Sequence, residues 1–281
     1  MQDVLHKITG ETQTYGIIGN PVHHSLSPEM HNGAFRELGM NCVYVPLSTS
    51  DIGDGVAGLK VLGFKGVSIT IPYKQEVIPF VDVLDPVAQK IGAVNTLLIK
   101  GSGDSQDKTV YGYNTDWVGA NRALEEKISL KGSRVLILGA GGSARAIGFG
   151  LLEAGAEVVI SNRTINKGEN LASQLCCSFC SLDELDQVKV DVLVNATSVG
   201  MVPEVENTPV PGKLLEKFSV VMDIVYAPLQ TRLLREAEAA GCQIVDGLAM
   251  LLYQGAAQFE LWTRKEAPLN VMREVLYRRF K

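Results

Sequence analysis

Four short stretches carry residue types that could do chemistry together. "GVSITIPYK" (66–74) ends an apolar run on Thr70 and sets Lys74 just past Pro72. A lysine half-buried at the mouth of a parallel sheet suits proton transfer near neutral pH, although a solvated lysine is the plainer alternative. "GAVNT" (92–96) offers Asn95, and "YGYNTDWVG" (111–119) offers Asn114, Thr115 and Asp116, which also read as helix-capping residues. In "GNPVHHSLSPEMHN" (19–32), Pro28 fits a first helical position and Ser27 its cap, whereas Ser25 has no such duty. Two hydroxyls at i and i+2 could bind a carboxylate where arginine is scarce, and Arg36 is the only arginine before Arg122. Together these segments suggest a site for a polyol. His23, His24 and His31, with Glu29 among them, form no recognisable ligand spacing, so no metal is expected.

A second constellation lies mid-chain in "RVLILGAGGSARAIGFGLLEAG" (134–155). An apolar run meets Gly139, Ala140, Gly141, Gly142, Ser143 and Ala144, a match to G-x-G-x-x-A, and passes into a helical pattern. The first glycine permits a tight turn and the second lets a pyrophosphate approach backbone N–H groups. The small last position lets helix pack on strand. The helix N-terminus then faces an anion with unpaired donors. An NAD site usually ends its second strand in a carboxylate that accepts from the ribose 2′-hydroxyl. Here "EVVIS" is followed by Asn162, Arg163 and Thr164, with Lys167 one turn on. A guanidinium and an ammonium favour a 2′-phosphate, and therefore NADP.

These residues need elements to position them, and the alternation of patterns supplies two α/β domains. Expected strands in the first part are Tyr15–Ile18, Val43–Leu47, Gly66–Thr70, Thr96–Ile99 and Val110–Tyr113, with a hairpin loop at 100–109. In the second they are Arg134–Leu138, Glu157–Ser161, Asp191–Asn195, Val220–Ile224 and Gln243–Asp246. Helices are expected at Ala144–Ala154 and at Leu229–Ala240, the latter stopped by Gly241. Parallel strands with crossover helices imply a doubly wound Rossmann sheet. Two terminal helix patterns follow Asp246 with no strand after them, which suggests a discontinuous arrangement. The expected domains are 1–115 with 247–281, and 116–246, separated by a cleft that hinges near 112–119 and 246–248.

Bulk properties exclude several classes. Of 281 residues, 46% are apolar and 20% charged, an enzyme-like balance. A net charge of −5 argues against nucleic-acid binding. No apolar run approaches the ~20 residues a membrane helix needs, and the N-terminus lacks a signal-peptide core. The odd count of five cysteines fits a reducing cytoplasm, and the cluster Cys176, Cys177 and Cys180 suggests no role.

The sequence resembles the shikimate dehydrogenases, NADP-dependent enzymes that interconvert 3-dehydroshikimate and shikimate on the route to chorismate and the aromatic amino acids. The resemblance rests, in order, on "GNPVHHSLSP", "SITIPYK", "GAVNT", "GYNTD", "GAGGSARA", "NRT", "NATSVGM", "DIVYAP", "DGLAML" and "QGAAQFELW". It implies a substrate domain completed by the C-terminal helices, and an NADP domain. It implies that Lys74 and Asp116 are the catalytic pair, and that Ser25, Ser27, Thr70, Asn95, Tyr226 and Gln254 surround the substrate. It carries the cofactor role to the six residues of the glycine turn and to Asn162, Arg163, Thr164 and Lys167. It further implies that Thr197, Ile224 and Gly247 line the nicotinamide side. Two departures are mild: Ala144 at the sixth turn position, and Lys167 where arginine also occurs. A quinate/shikimate enzyme using NAD as well, and a catalytically silent NADP sensor, are the alternatives. Whether the chain is a monomer or a homodimer is not legible.

Overall fold

The structure is a computed structural model that describes residues 8–101 and 108–280. The chain divides into two compact units, 1–115 with 255–281, and 116–254. The second dividing point therefore lies at 254/255, eight residues beyond the expected 246/247. Its position has a simple cause: a helix that begins at the expected boundary, with Gly247, continues unbroken to Thr263, and only its part from Gly255 onward belongs to the first unit.

In the first unit the elements run β1 (Gln13–Gly19), α1 (Ser27–Glu37), β2 (Cys42–Ser48), α2 (Ile52–Leu62), β3 (Gly66–Ile69), β4 (Val83–Leu84), α3 (Pro86–Ile91), β5 (Thr96–Gly101) and β6 (Lys108–Tyr113). The sheet order is β2-β1-β3-β5-β6-β4. Strands β2, β1 and β3 are parallel, whereas β5 pairs antiparallel with both β3 and β6. The sheet is thus mixed. The expected hairpin joins β5 to β6, with 102–107 outside the described residues. Helix α2 shows ordinary end chemistry: Asp51 accepts from Asp54 N–H at its start, and Gly63 closes it at φ 83°. Helix α1 does not. Ser27 is its first helical residue rather than its cap, and Leu26 stands in the cap position without a side-chain hydrogen bond. The capping role expected of Ser27 is therefore wrong, and Ser25 Oγ accepts from Ser27 N–H at 3.3 Å instead.

The second unit runs α4 (Asp116–Glu125), β7 (Arg134–Leu138), α5 (Gly142–Glu153), β8 (Glu157–Ser161), α6 (Ile165–Leu175), β9 (Ser178–Phe179), β10 (Val192–Asn195), β11 (Val220–Asp223), α7 (Arg232–Ala239) and β12 (Gln243–Val245). Helix α8 (Gly247–Thr263) begins in this unit and ends in the first, where α9 (Leu269–Arg278) follows. The strand order is β12-β11-β10-β7-β8-β9, all parallel. Numbered within the unit, this is the 3-2-1-4-5-6 order of a dinucleotide fold, with its switch point between β7 and β10. The strands are buried on both faces, so they read as continuous apolar runs: Val135, Leu136 and Ile137 are wholly buried, as are Val192, Leu193 and Val194. Helix α7 starts at Arg232, later than expected, because Thr231 accepts from Leu234 N–H and caps it there. Gly241 lies at φ 87°, as a helix-stop glycine should. Helix α6 ends with Cys176 at φ 54°, so "CCSFC" is the turn into β9, and all five cysteines are free thiols. Among the described residues no helix is long and apolar enough to cross a membrane, and no cluster could hold a metal ion.

Candidate functional site

In the first unit the register of the sheet gathers the chemistry at one edge. Strand β1 ends beside β3: Thr70 N–H donates to Ile18 O at 2.9 Å, and Asn20 N–H donates to Ile71 O at 3.1 Å. A side chain at Gly19 would meet Thr70 Cγ2 at 2.4 Å, so glycine is what lets these two exits approach. Strand β5 runs the other way, so its start meets the end of β3, and Ile69 N–H donates to Asn95 O at 2.7 Å. The end of β6 closes the row, with Asn95 N–H donating to Tyr113 O at 3.0 Å. The loop after β3 is tied in as well, since Val94 N–H donates to Lys74 O at 2.7 Å. Ser25, Ser27, Thr70, Lys74 and Asn95 all stand on segments leaving this one sheet edge.

Their environments differ. Ser27 and Asn95 are buried, whereas Ser25, Thr70 and Lys74 are half-buried. Asn95 is bound to the segment after β6: its Oδ1 accepts from Thr115 N–H at 2.8 Å, and its Nδ2 donates to Thr115 Oγ1 at 3.0 Å. Asn114 Nδ2 donates to Ala93 O at 2.9 Å. Asn114 and Thr115 therefore fasten one segment to another, beyond any capping role. His31 is fully buried and stacked on Tyr44, with ring centroids 4.5 Å apart, and neither ring nitrogen has a hydrogen-bond partner. Burial pushes its pKa down to about 3, so it stays neutral; the nearby Gln258 amide opposes that shift without reversing it.

In the second unit the glycine turn lies at the switch point. Gly139 takes φ 119°, and its N–H donates to Ser161 O at 2.8 Å, tying the turn to the end of β8. A side chain there would meet Ala196 O at 3.0 Å and Thr197 Cγ2 at 3.2 Å, so the turn also abuts the loop after β10. Gly141 is different. It is the N-cap of α5 with no side-chain cap, it is exposed at φ −86°, and a Cβ there would meet nothing within 4 Å. Nothing in the protein requires glycine at 141, which fits the close approach of a ligand to uncapped N–H groups. Ala144 is wholly buried at the helix–strand contact. Beyond β8, Asn162 Nδ2 donates to Thr164 O at 2.9 Å and shapes the bend, leaving Arg163, Thr164 and Lys167 exposed. The residues present fit a dinucleotide bearing a 2′-phosphate.

The loops after β10 and β11 are held together by Asp223, which is wholly buried. Its Oδ1 accepts from Asn195 Nδ2 at 2.9 Å and from Val225 N–H at 3.0 Å, while Oδ2 accepts from Thr231 Oγ1 at 2.7 Å. Asn195 Oδ1 in turn accepts from the Thr197 hydroxyl at 2.6 Å. Burial raises Asp223 to about 6, despite three donors pulling the other way. Gly247 joins this cluster, since a Cβ there would lie 2.5 Å from Ile224 O. Thr197, Ile224 and Gly247 are thus gathered around the exits of β10 and β11. Tyr226 leaves the same loop, and burial raises its phenol. Asp116 begins α4, and Gly119 one turn later lets α8 approach, its Cβ position lying 2.7 Å from Gln254 Cβ. Asp116 and Gln254 are both buried, at 3% and 8% exposure.

Sequence reasoning missed Asp223 with Asn195, and in the first unit Thr96 and Gln258. Gln258 carried a usable signal, because it lies four residues after Gln254 and shares its helix face.

Residues 17–97 match the family described as the shikimate dehydrogenase substrate binding domain. Residues 120–224 match shikimate / quinate 5-dehydrogenase, and 247–277 match the shikimate 5'-dehydrogenase C-terminal domain. The NADP+ shikimate dehydrogenase of Pyrococcus furiosus is 47% identical over 271 residues, covering 95% of this chain and 96% of that protein. A crystal structure of a shikimate dehydrogenase in complex with NADP+ superposes with TM-score 0.91 at 40% identity, covering 98% of each chain. The Thermus thermophilus enzyme in complex with NADP(H) and shikimate gives TM-score 0.86 at 38% identity, covering 95% of this chain and 99% of that one. With both sheets, the switch-point turn and the ordered motifs in agreement, the chain belongs to the shikimate dehydrogenase family.

Proposed function

We propose that Lys74 and Asp116 are the catalytic pair in the reversible, NADP-dependent reduction of 3-dehydroshikimate to shikimate. The activity itself follows from the family: the chain is an NADP-dependent oxidoreductase acting on a CH–OH group. One observation carries the assignment of residues. Five polar side chains, Lys74 among them, stand on segments that leave a single edge of the first unit's sheet.

When bound, NADPH supplies the hydride that reduces the ketone carbon. The rest of the work falls to the chain. Lys74, as an ammonium, holds a proton at the ketone oxygen and stabilises the alkoxide as it forms. Asp116 is the carboxylate of the pair and accepts from a substrate hydroxyl. The hydroxyls of Ser25, Ser27 and Tyr226 bind the substrate carboxylate. Thr70, Asn95 and Gln254 bond its ring oxygens. The glycine turn and Ser143 cradle the pyrophosphate, Asn162, Arg163, Thr164 and Lys167 take the 2′-phosphate end, and Thr197, Ile224 and Gly247 take the nicotinamide end. Five free thiols support a reducing, cytoplasmic setting.

Replacing Lys74 tests this. In Lys74→Ala, kcat falls by about two to four orders of magnitude. NADPH affinity, followed by nucleotide fluorescence, stays within about twofold, because the nucleotide residues belong to the second unit. Wild-type turnover in that variant removes Lys74 from the mechanism. The second reading, quinate turnover with NAD, draws on the shikimate / quinate description of residues 120–224. It is opposed by the cationic end of β8, which has no carboxylate for a ribose 2′-hydroxyl.

A further inference from the structure

In the second unit the exits of β7, β10 and β11 are joined through one buried carboxylate that none of the roles above uses. Asp223 ends β11 and Asn195 ends β10; the two are register partners in the sheet, and both are wholly buried. The backbone already ties these exits, since Ile224 N–H donates to Asn195 O at 3.1 Å, and farther out Val202 N–H donates to Ala227 O at 3.0 Å. To this Asp223 adds its side chain, which takes Asn195 Nδ2 from one strand end, Val225 N–H from the following loop and the Thr231 hydroxyl from the start of α7. A carboxylate can do this because each oxygen accepts more than one donor.

Two backbone partners settle how Asn195 is turned. Val199 O, which only accepts, lies 3.2 Å from Nδ2, and Thr197 N–H, which only donates, lies 3.1 Å from Oδ1. Thr197 gives its hydroxyl hydrogen to Asn195 Oδ1 and takes Val199 N–H on its oxygen at 3.1 Å. Its Cγ2 then lies 3.2 Å from the Cβ position of Gly139, so the clamp reaches the glycine turn, and Ala196 N–H donates to Leu138 O at 2.9 Å beside it. On the other side Ile224 stands between Asp223 and Val225, and Gly247 packs against its carbonyl. Thr197, Ile224 and Gly247 are thus each one step from the Asp223–Asn195 pair.

We infer that Asp223, acting through Asn195, is a positioning residue for the nicotinamide end of the cofactor: it holds the loops after β10 and β11 converged, so that Thr197, Ile224 and Gly247 present one continuous surface to the ring. Hydride transfer needs its two carbons close and aligned, and a displacement of about 1 Å in the loops that seat the ring slows it steeply. The phosphate-bearing end of the nucleotide depends on other elements, the glycine turn and the exit of β8. Loosening the clamp therefore acts on one half of the cofactor. This inference rests on the reading that places the nicotinamide at Thr197, Ile224 and Gly247.

Calorimetric titration with NADPH and with adenosine 2′,5′-bisphosphate, which lacks the nicotinamide end, tests it alongside single-turnover kinetics and thermal melting. Asp223→Ala and Asn195→Ala weaken NADPH about tenfold, the effect of one hydrogen bond, and leave the bisphosphate within about twofold. Hydride transfer from shikimate to bound NADP+ slows by about tenfold to a hundredfold in both. Asp223→Asn restores affinity and rate to within about threefold, because its amide oxygen accepts from Asn195 and Val225 while its nitrogen donates to the Thr231 hydroxyl. Thr231→Val is the structural control: it removes a donor to the same carboxylate from α7, lowers the melting temperature and leaves NADPH affinity unchanged. Equal weakening of NADPH in Thr231→Val and Asn195→Ala, or loss of both nucleotides together in Asp223→Ala, overturns the inference. Ile224→Ala, which keeps every backbone bond of the cluster, separates the two layers. If it weakens NADPH while Asn195→Ala does not, the positioning role fails alone. If it leaves NADPH affinity unchanged, the nicotinamide reading fails and takes the inference with it. Asn195→Ala carries the test by itself should Asp223→Ala fail to fold.

Discussion

At the sheet edge of the first unit, segments are tied by neutral groups, from Tyr44 through Gln258 to Asn95. At the strand exits of the second, the tie is a single buried carboxylate, Asp223, gripping Asn195, Val225 and Thr231. Both devices hold loops that carry proposed ligand-binding residues, yet their physics differs. Hydroxyls and amides donate and accept in sequence, so they fix direction and tell each side chain which end to present. A carboxylate only accepts. It gathers donors without specifying anything beyond their convergence, and it brings a charge whose burial is costly. The first device thus fixes direction, whereas the second fixes convergence alone.

The comparison breaks first at Asp223. In Asp223→Ala the Asn195, Val225 and Thr231 donors lose their common acceptor in a buried site, and stability falls by about 2–4 kcal/mol in urea unfolding. A loss under about 1 kcal/mol would mean that the loops hold without it. The conservative change sharpens the contrast. Burial raises Asp223 from the usual 3.8 to about 6 in the folded chain. Its contribution to stability is therefore complete below about pH 4 and is lost as pH rises through about 6. Asp223→Asn flattens the fall in stability across that window relative to wild type, and parallel profiles for the two proteins would contradict the raised value.

His31 gives the smallest and opposite effect. Its folded pKa lies below its unfolded one, so the stability it contributes is present above about pH 6.5 and lost as pH falls toward about 3. His31→Phe keeps the stacked ring and removes a base with no hydrogen bonds to lose. At pH 7.5 it unfolds within about 1 kcal/mol of wild type, the scale of a modest repacking. At pH 4.5 it is the more stable of the two, and equal acid sensitivity would show that His31 is not held neutral by the fold.

Much of this architecture could be read from residue patterns. Strands β7 and β8 fall on the expected residues, because parallel strands buried on both faces are continuous apolar runs between punctuating residues. The two-residue strands β4 and β9 were invisible, since pairing with a neighbour, not local propensity, makes them strands. The antiparallel sense of β5 was equally hidden, and it is what brings Asn95 to the exit of β3. Ser27 misled because Ser-Pro before a helix is good capping chemistry, whereas here its side chain is 2% exposed and the helix begins with it. The nucleotide turn was legible from spacing alone. The roles proposed for Lys74 and Asp116 were not: a lysine after a strand and an acid at a helix start have ordinary uses, and only the family resemblance singled them out. Gln258 and Asp223 were missed because a buried polar residue becomes conspicuous only once its partners, up to 190 residues away for Gln258 and Ser68, are known.

The most direct test of a first unit that reads shikimate and a second that reads NADP is a comparison of initial rates. Purified wild-type chain and Arg163→Asp are each given shikimate with NADP+ or with NAD+. Wild type turns over rapidly with NADP+ and at least about tenfold less efficiently, in kcat/KM, with NAD+, as the loss of a charged contact to the 2′-phosphate implies. Arg163→Asp moves that ratio toward NAD+, because it removes a cation and adds an acceptor for the ribose hydroxyl. No turnover of shikimate with either nucleotide, or a ratio of kcat/KM unchanged by the substitution, would contradict the account.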